Sequence, residues 1–146
     1  MHFEFTVEGG NFSRAGFPSS EVKKMLKHLN VNGQAIKRTV VALYEAEVNI
    51  VAHAYHGIIR VDIDSDKIHI LLEDEGPGIP DIRKAMEIGY STASPEVREM
   101  GFGAGMGLSN MQNNSDKLEI TSQVGCGTTV MIINYFNNSK DDPGTE

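Results

Sequence analysis

Cysteine is nearly absent from this chain. The single residue, Cys126, excludes an intramolecular disulfide framework and any zinc site built from several thiolates, and such a composition points to a reducing, cytoplasmic setting. Basic residues are also scarce: 13 Lys and Arg face 20 Asp and Glu, for a net charge of −7. An acidic domain repels nucleic-acid phosphates, and no local basic stripe offsets that repulsion, so nucleic acid is not an expected partner. Long apolar runs are missing as well. The longest, Val40–Tyr44, falls far short of the ~20 residues that span a bilayer. The N-terminal stretch MHFEFTVEGG has neither the basic start nor the apolar core of a signal peptide. No membrane association is expected.

What remains suits one folded domain. The chain has 146 residues, 40% of them hydrophobic, and a domain of that size buries roughly 70% of the surface its unfolded chain exposes. His2–Val7 alternates in polarity with period two, the mark of a half-buried strand. Ser19-Ser20-Glu21 reads as the start of a short helix that runs to Asn30. From Gln34 to Tyr55 there is no Gly or Pro, and Ile36, Val40, Leu43, Ile50, Val51 and Ala54 fall on one arc of a helix. Glu47 lies inside that apolar arc, out of keeping with it. Ile58–Ile63 and Lys67–Glu73 alternate around Asp64-Ser65-Asp66 and predict a hairpin. Pro80 suits the first turn of a short helix, Asp81–Ile88. Gly89–Gly107 reads as an irregular loop, Leu108–Ser115 as a helix, and Leu118–Val124 with Thr128–Phe136 as a second hairpin. The polar tail, residues 137–146, is expected to be disordered, which leaves residues 1–136 as a single domain. Two hairpins imply a mixed, mostly antiparallel sheet with helices on one face, an α+β two-layer sandwich.

Three constellations stand out. Seven of the 15 glycines lie between residues 76 and 107. The run Gly101-Phe102-Gly103-Ala104-Gly105-Met106-Gly107 opens a predicted helix, where bare backbone N–H groups can meet phosphate oxygens. On its own, a flexible surface loop would look the same. Neither the dinucleotide fingerprint nor the P-loop fits, because no parallel βαβ unit precedes the run and no Gly-Lys-Ser/Thr follows it. Next, Glu73-Asp74-Glu75-Gly76-Pro77-Gly78 places a carboxylate at a strand end before a tight turn, where Asp74 can accept from a purine's exocyclic amine. The plain alternative is a polar turn. Finally, Glu45, Asn49 and His53 follow one another at four-residue steps on one helix face. A carboxylate and an amide oxygen one turn apart can serve as a proton acceptor and a hard-cation ligand, or simply form a polar stripe. His53 and His56 lack a third ligand at suitable spacing, so they do not read as a metal site.

Taken together and in this order, the three clusters resemble the nucleotide site of the GHKL, or Bergerat-fold, ATP-binding family. EAEVNIVAHAY (Glu45–Tyr55) is similar to its N box, EDEGPGIPD (Glu73–Asp81) to its G1 box, and Gly101–Leu108 to its G2 box. Gly127-Thr128 resembles the family's closing Gly-Thr element. Within the family, the compact length and the stretch EDEGPGIPDIRKAMEIGYSTAS resemble the bacterial anti-sigma-factor and stressosome-switch serine/threonine kinases. Pro95–Met100 is longer than the corresponding part of the switch-kinase lid.

The resemblance implies a Bergerat fold, with ATP and Mg2+ as the groups bound. It implies that Glu45 is the general base, that Asn49 ligates Mg2+, and that His53 reaches toward the phosphates. Asp74 would accept from the adenine amine, with Thr128 close by and acting directly or through water, while Gly76 and Gly78 let the backbone pass under the base. Gly103, Gly105 and Gly107 would offer N–H groups to the phosphates. The implied activity is phosphorylation of a STAS-domain antagonist protein, with a sigma factor as a further partner and a homodimer compatible with both. The alternative is an ATP-gated binding module with little or no phosphoryl transfer.

Overall fold

Residues 1–86 and 107–136 are described by the computed structural model. In chain order they form β1 (His2–Glu8), a 3-10 turn (Phe12–Arg14), α1 (Phe17–His28), α2 (Gly33–His53), β2 (His56–Ile63), β3 (Lys67–Glu75), α3 (Ile82–Ala85), α4 (Gly107–Asn113), β4 (Lys117–Gln123) and β5 (Gly127–Tyr135). The five strands make one sheet in the order β1-β2-β3-β5-β4, and every pairing is antiparallel. The expected mixed sheet is therefore antiparallel throughout its described strands. The α+β two-layer architecture is as expected.

Strand alternation decides which face is covered. Val7, Ile59, Val61, Ile63, Ile68, Ile70, Leu72, Val130 and Ile132 are buried on one side of the sheet. Leu26, Ala42, Leu43, Ile50, Leu108 and Met111 come down on them from α1, α2 and α4. Each fully buried Leu or Ile contributes about 1.5–3 kcal/mol, so this layer supplies most of the driving force. The other face carries charges, with Arg60 paired to Glu4 and Glu73. The β2–β3 hairpin turns at Asp64, whose Oδ1 accepts from Asp66 N at 2.7 Å and Lys67 N at 2.9 Å. Those two backbone donors hold its carboxyl below the ordinary carboxylate range.

Two polar side chains inside the core explain how the helices are fixed. α1 begins at Phe17, two residues ahead of the sequence expectation, because its cap is not local. Gly16 stands at the N-cap with φ +96° and has no side chain to serve the first turn. Glu47, 1% exposed, does so from α2: Gly16 N–H donates to Oε2, and Ser19 N–H donates to Oε1 at 3.3 Å. The residue that spoils the apolar arc of α2 is thus the cap of α1, in favourable contact with the positive end of that helix. Asn134, also 1% exposed, takes Asp116 N–H on Oδ1 at 2.7 Å. Its amide donates to Thr39 Oγ1 at 3.2 Å and to Asn114 O at 2.9 Å. It joins α2, the end of α4 and the start of β4 without leaving a buried polar atom of its own unpaired.

Burial pushes the Glu47 carboxyl above its ordinary 4.5, against the opposing pull of its two backbone donors. The folded protein therefore holds this proton through a range in which the unfolded chain has released it. The group's contribution to stability is complete at low pH and declines as pH rises from about 4.5 through the folded value. The difference in unfolding free energy between the parent and Glu47→Gln, from urea titrations across this range, should shrink with rising pH. A flat or rising difference would contradict the assignment. Glu47→Ala leaves both N–H donors without an acceptor and should lose about 1–3 kcal/mol at the low-pH end of the range, the loss shrinking as pH rises.

Candidate functional site

The polar face of α2 looks away from Glu47. Glu45 and Asn49 stand one turn apart and are half-buried, and His53 ends the helix. Burial lowers the His53 pKa, so its ring is neutral near pH 7 and acts as a hydrogen-bonding group rather than a cation. Glu45 is not left to choose its own rotamer. Asn110 on α4 donates from Nδ2 to Glu45 Oε2 at 3.2 Å. Gly107, the first residue of α4, lies over the other oxygen: a Cβ there would sit 3.5 Å from Oε1. The start of α4 thus frames the Glu45 carboxylate, with one oxygen held and the other facing Gly107.

Asp74 forms a second cluster at the end of β3. Its Oδ1 accepts the Thr128 N–H at 3.0 Å, and among the described residues Oδ2 has no hydrogen-bond partner. Burial raises its pKa, while the Thr128 N–H pulls the other way. The strands can approach this closely because residue 127 is glycine: a Cβ would lie 2.1 Å from the Asp74 carbonyl oxygen. Gly78 is equally constrained, with φ +77° and a would-be Cβ only 2.5 Å from the Gln123 carbonyl oxygen. At Gly76 the end of α2 closes in, since a Cβ would meet Ala54 Cα at 2.8 Å and the His53 carbonyl at 3.5 Å. The backbone of His53 therefore lies against the turn that follows Asp74. Behind the cluster, Ser122 accepts the Ile79 N–H at 2.7 Å and touches Thr128 Oγ1 at 2.8 Å.

Of the residues singled out from sequence, the structure gathers Asp74, Gly76, Gly78 and Thr128 at one end of the C-terminal half of α2. It brings Glu45 and Gly107 together farther along the same helix. Gly103 and Gly105, with most of the glycine-rich run and Pro95–Met100, lie outside the described residues. Sequence reasoning passed over Asn110 and Ser122. Asn110 had a faint signal, standing one helical turn after Gly107; Ser122 had only its register opposite Thr128.

Among the described residues, Asp74 Oδ2 can accept from a ligand amine and the Asn49 amide oxygen can ligate a hard cation. An uncharged, backbone-lined cradle and a half-buried carboxylate suit a purine base. Among the described residues no group of three or more His, Cys, Asp or Glu forms a metal cage. A cation at Asn49 would take its remaining ligands from phosphate and water, as Mg2+ commonly does.

Comparison with known proteins agrees with this fold. An anti-sigma F factor of Thermoanaerobacter sp. (strain X514) is 36% identical over 96% of this chain and 96% of its own length. The serine/threonine-protein kinase RsbT of Bacillus subtilis (strain 168) is 35% identical over 68% of this chain and 71% of its own. Among solved structures, that of the RsbU and RsbW domains of Rv1364c from Mycobacterium tuberculosis shares the fold. Its TM-score is 0.62 at 13% identity, over 92% of this chain and 32% of that one. Residues 19–133 match the histidine kinase-like ATPase domain. The chain therefore belongs to the histidine kinase-like ATPase (GHKL) family, in the branch that holds the anti-sigma factors and switch-type serine/threonine kinases.

Proposed function

We propose that this chain is an ATP-dependent protein serine/threonine kinase that phosphorylates a STAS-domain antagonist protein in the cytoplasm, with a sigma factor as a further partner. The observation that carries the proposal is the Glu45 carboxylate, fixed through one oxygen by Asn110 and one helical turn from Asn49. A module that only binds nucleotide has no need of an oriented proton acceptor at that place. Similarity to proteins named anti-sigma F factor and serine/threonine-protein kinase supports the same reading.

In this mechanism Asp74 and Thr128 hold the adenine end of ATP, and Gly76 and Gly78 allow the base to lie against backbone. Gly103, Gly105 and Gly107 supply N–H groups to the phosphates. Glu45 accepts the proton of the attacking serine or threonine hydroxyl, while Asn110 keeps Oε2 occupied and so aims the other oxygen. His53, neutral, serves as a hydrogen-bonding group near the site. Mg2+, held by the Asn49 amide oxygen and substrate phosphates, would neutralise charge on the transferred group. Phosphoryl transfer depends mainly on such positioning and charge stabilisation, so an acidic protein can perform it with oriented N–H groups in place of side-chain cations.

Two variants test the roles. Asn49→Ala should abolish the Mg2+-dependent part of ATP binding in calorimetry while the far-UV dichroism stays that of the parent; unchanged Mg-ATP affinity would remove Asn49 from the metal site. Glu45→Gln keeps the helix and one acceptor oxygen but cannot take up a proton. Single-turnover transfer from radiolabelled ATP to a STAS-domain substrate should drop at least ~100-fold with ATP affinity nearly unchanged, as expected for a general base. Transfer within threefold of the parent would show that the base lies elsewhere. A parent that binds the partner in an ATP-dependent way without transfer would identify a nucleotide-gated binding module instead.

A further inference from the structure

Ser122 stands at the junction of three segments of the site. Its Oγ lies 2.7 Å from the Ile79 amide nitrogen, 3.1 Å from the Gly127 carbonyl oxygen and 2.8 Å from Thr128 Oγ1. A serine hydroxyl has one hydrogen and two lone pairs. The Ile79 N–H can only donate, so it takes a lone pair. The Gly127 carbonyl can only accept, so it takes the hydrogen. One lone pair remains for Thr128, so making all three contacts at once requires the bond between the two hydroxyls to run from Thr128 to Ser122. With its hydrogen committed, Thr128 Oγ1 has only lone pairs left to offer beside Asp74. Asp74 Oδ1 is taken by the Thr128 N–H, and Oδ2, the remaining oxygen, is likewise an acceptor.

We infer that Ser122 is a specificity-determining positioning residue: by consuming the Thr128 hydroxyl hydrogen, it makes this end of the site accept only, and so selects a purine with an amine at its six-position. The inference rests on the reading of the Asp74 end as the base end of an ATP site. Adenine presents an amine donor at that position and guanine a carbonyl acceptor. A carbonyl facing Asp74 Oδ2 and Thr128 Oγ1 meets lone pairs on both sides and leaves half-buried polar atoms unmatched, a mismatch that can discriminate strongly. Thr128 is 6% exposed, so water does little to relieve it. Without the Ser122 hydroxyl, the Thr128 hydroxyl is free to turn its hydrogen toward the site and meet a carbonyl. The Thr128 N–H bond to Asp74 Oδ1 and the close approach at Gly127 do not involve the Ser122 hydroxyl and remain, while the Ile79 N–H loses its acceptor.

The test is equilibrium binding of ATP, GTP and ITP by calorimetry; ITP carries the six-carbonyl without guanine's two-amine. The parent should bind ATP at least tenfold more tightly than either. Ser122→Ala should reduce the ATP-to-GTP and ATP-to-ITP affinity ratios at least tenfold, and Ser122→Thr, which restores the hydroxyl, should return them to within threefold of the parent. Thr128→Val, of the same shape but with no hydroxyl to turn, should keep the ATP preference that Ser122→Ala loses, because Asp74 still accepts; adding Ser122→Ala to it should move the ratios by less than threefold. If Ser122→Ala fails to fold by dichroism, Ser122→Cys, whose thiol is a poor acceptor for the Thr128 hydrogen, takes its place with the same loss of ratio expected. A Ser122→Ala protein that weakens all three nucleotides equally, with ratios unmoved, would overturn the inference while leaving the ATP site standing. A parent that binds none of them would overturn both the inference and the ATP reading on which it rests.

Discussion

The hydrogen bond from the Thr128 backbone to Asp74 is the contact on which the site's architecture depends. It joins the end of β3 to the start of β5, strands that pair along most of their length, at the point where regular pairing stops. The bond needs the backbones to meet more closely than side chains allow, and glycine at 127 permits that approach. Once it forms, one Asp74 oxygen is spoken for and the other has a fixed direction. The Ser122 hydroxyl, the turn through Gly76 and Gly78 and the end of α2 are all arranged around that fixed point. A carboxylate held by a backbone donor in this way is preorganised, and a ligand that met it would not have to order it.

The chemical end of the site is built differently. Glu45 is held by a side chain, Asn110, on a helix of only seven residues. That helix depends in turn on tertiary contacts, since so short a segment is not stable alone. Asn134 ties its end to α2 through Thr39, and Arg38 pairs with Asp116 at 2.8 Å just beyond it. The Asp74 end of the site thus rests on the sheet, and the alignment of Glu45 rests on the packing of two helices.

Much of this was readable from the amino-acid order, and the unread parts share a cause. Strand alternation gave the strands and the two hairpins, because period two follows from backbone geometry alone, while the β1–β2 and β3–β5 pairings left no mark in it. The four-residue steps Glu45, Asn49 and His53 gave the polar face of α2 for the same reason. α2 begins at Gly33 because Asn32 Oδ1 accepts the Ala35 N–H at 2.8 Å, a local cap whose effect on the boundary is small. By contrast, the start of α1 is set by Glu47, 31 residues away from Gly16, and no local pattern records that. Read only within α2, Glu47 looks like an error. Asn134 and Ser122 were likewise hidden, since each acts across strands or from strand to helix, and a lone Asn or Ser in an alternating strand carries no mark of its partners. Local periodicity reveals elements; the polar contacts that lock one element to another become visible only when both are in place.

α2 is read on two faces at once, with Glu45 and Asn49 serving the site and Glu47 serving α1. Each residue added to or removed from a helix turns everything beyond it by about 100°. A one-residue insertion between Ala42 and Glu45 would therefore swing Glu45 and Asn49 off the site and drag the Glu47 cap away from Gly16 in the same stroke. No single compensating substitution restores both. Length change in descendants of this sequence should consequently be confined to the loops on either side of α2, while the helix itself drifts only by replacement, one side chain for another at fixed phase.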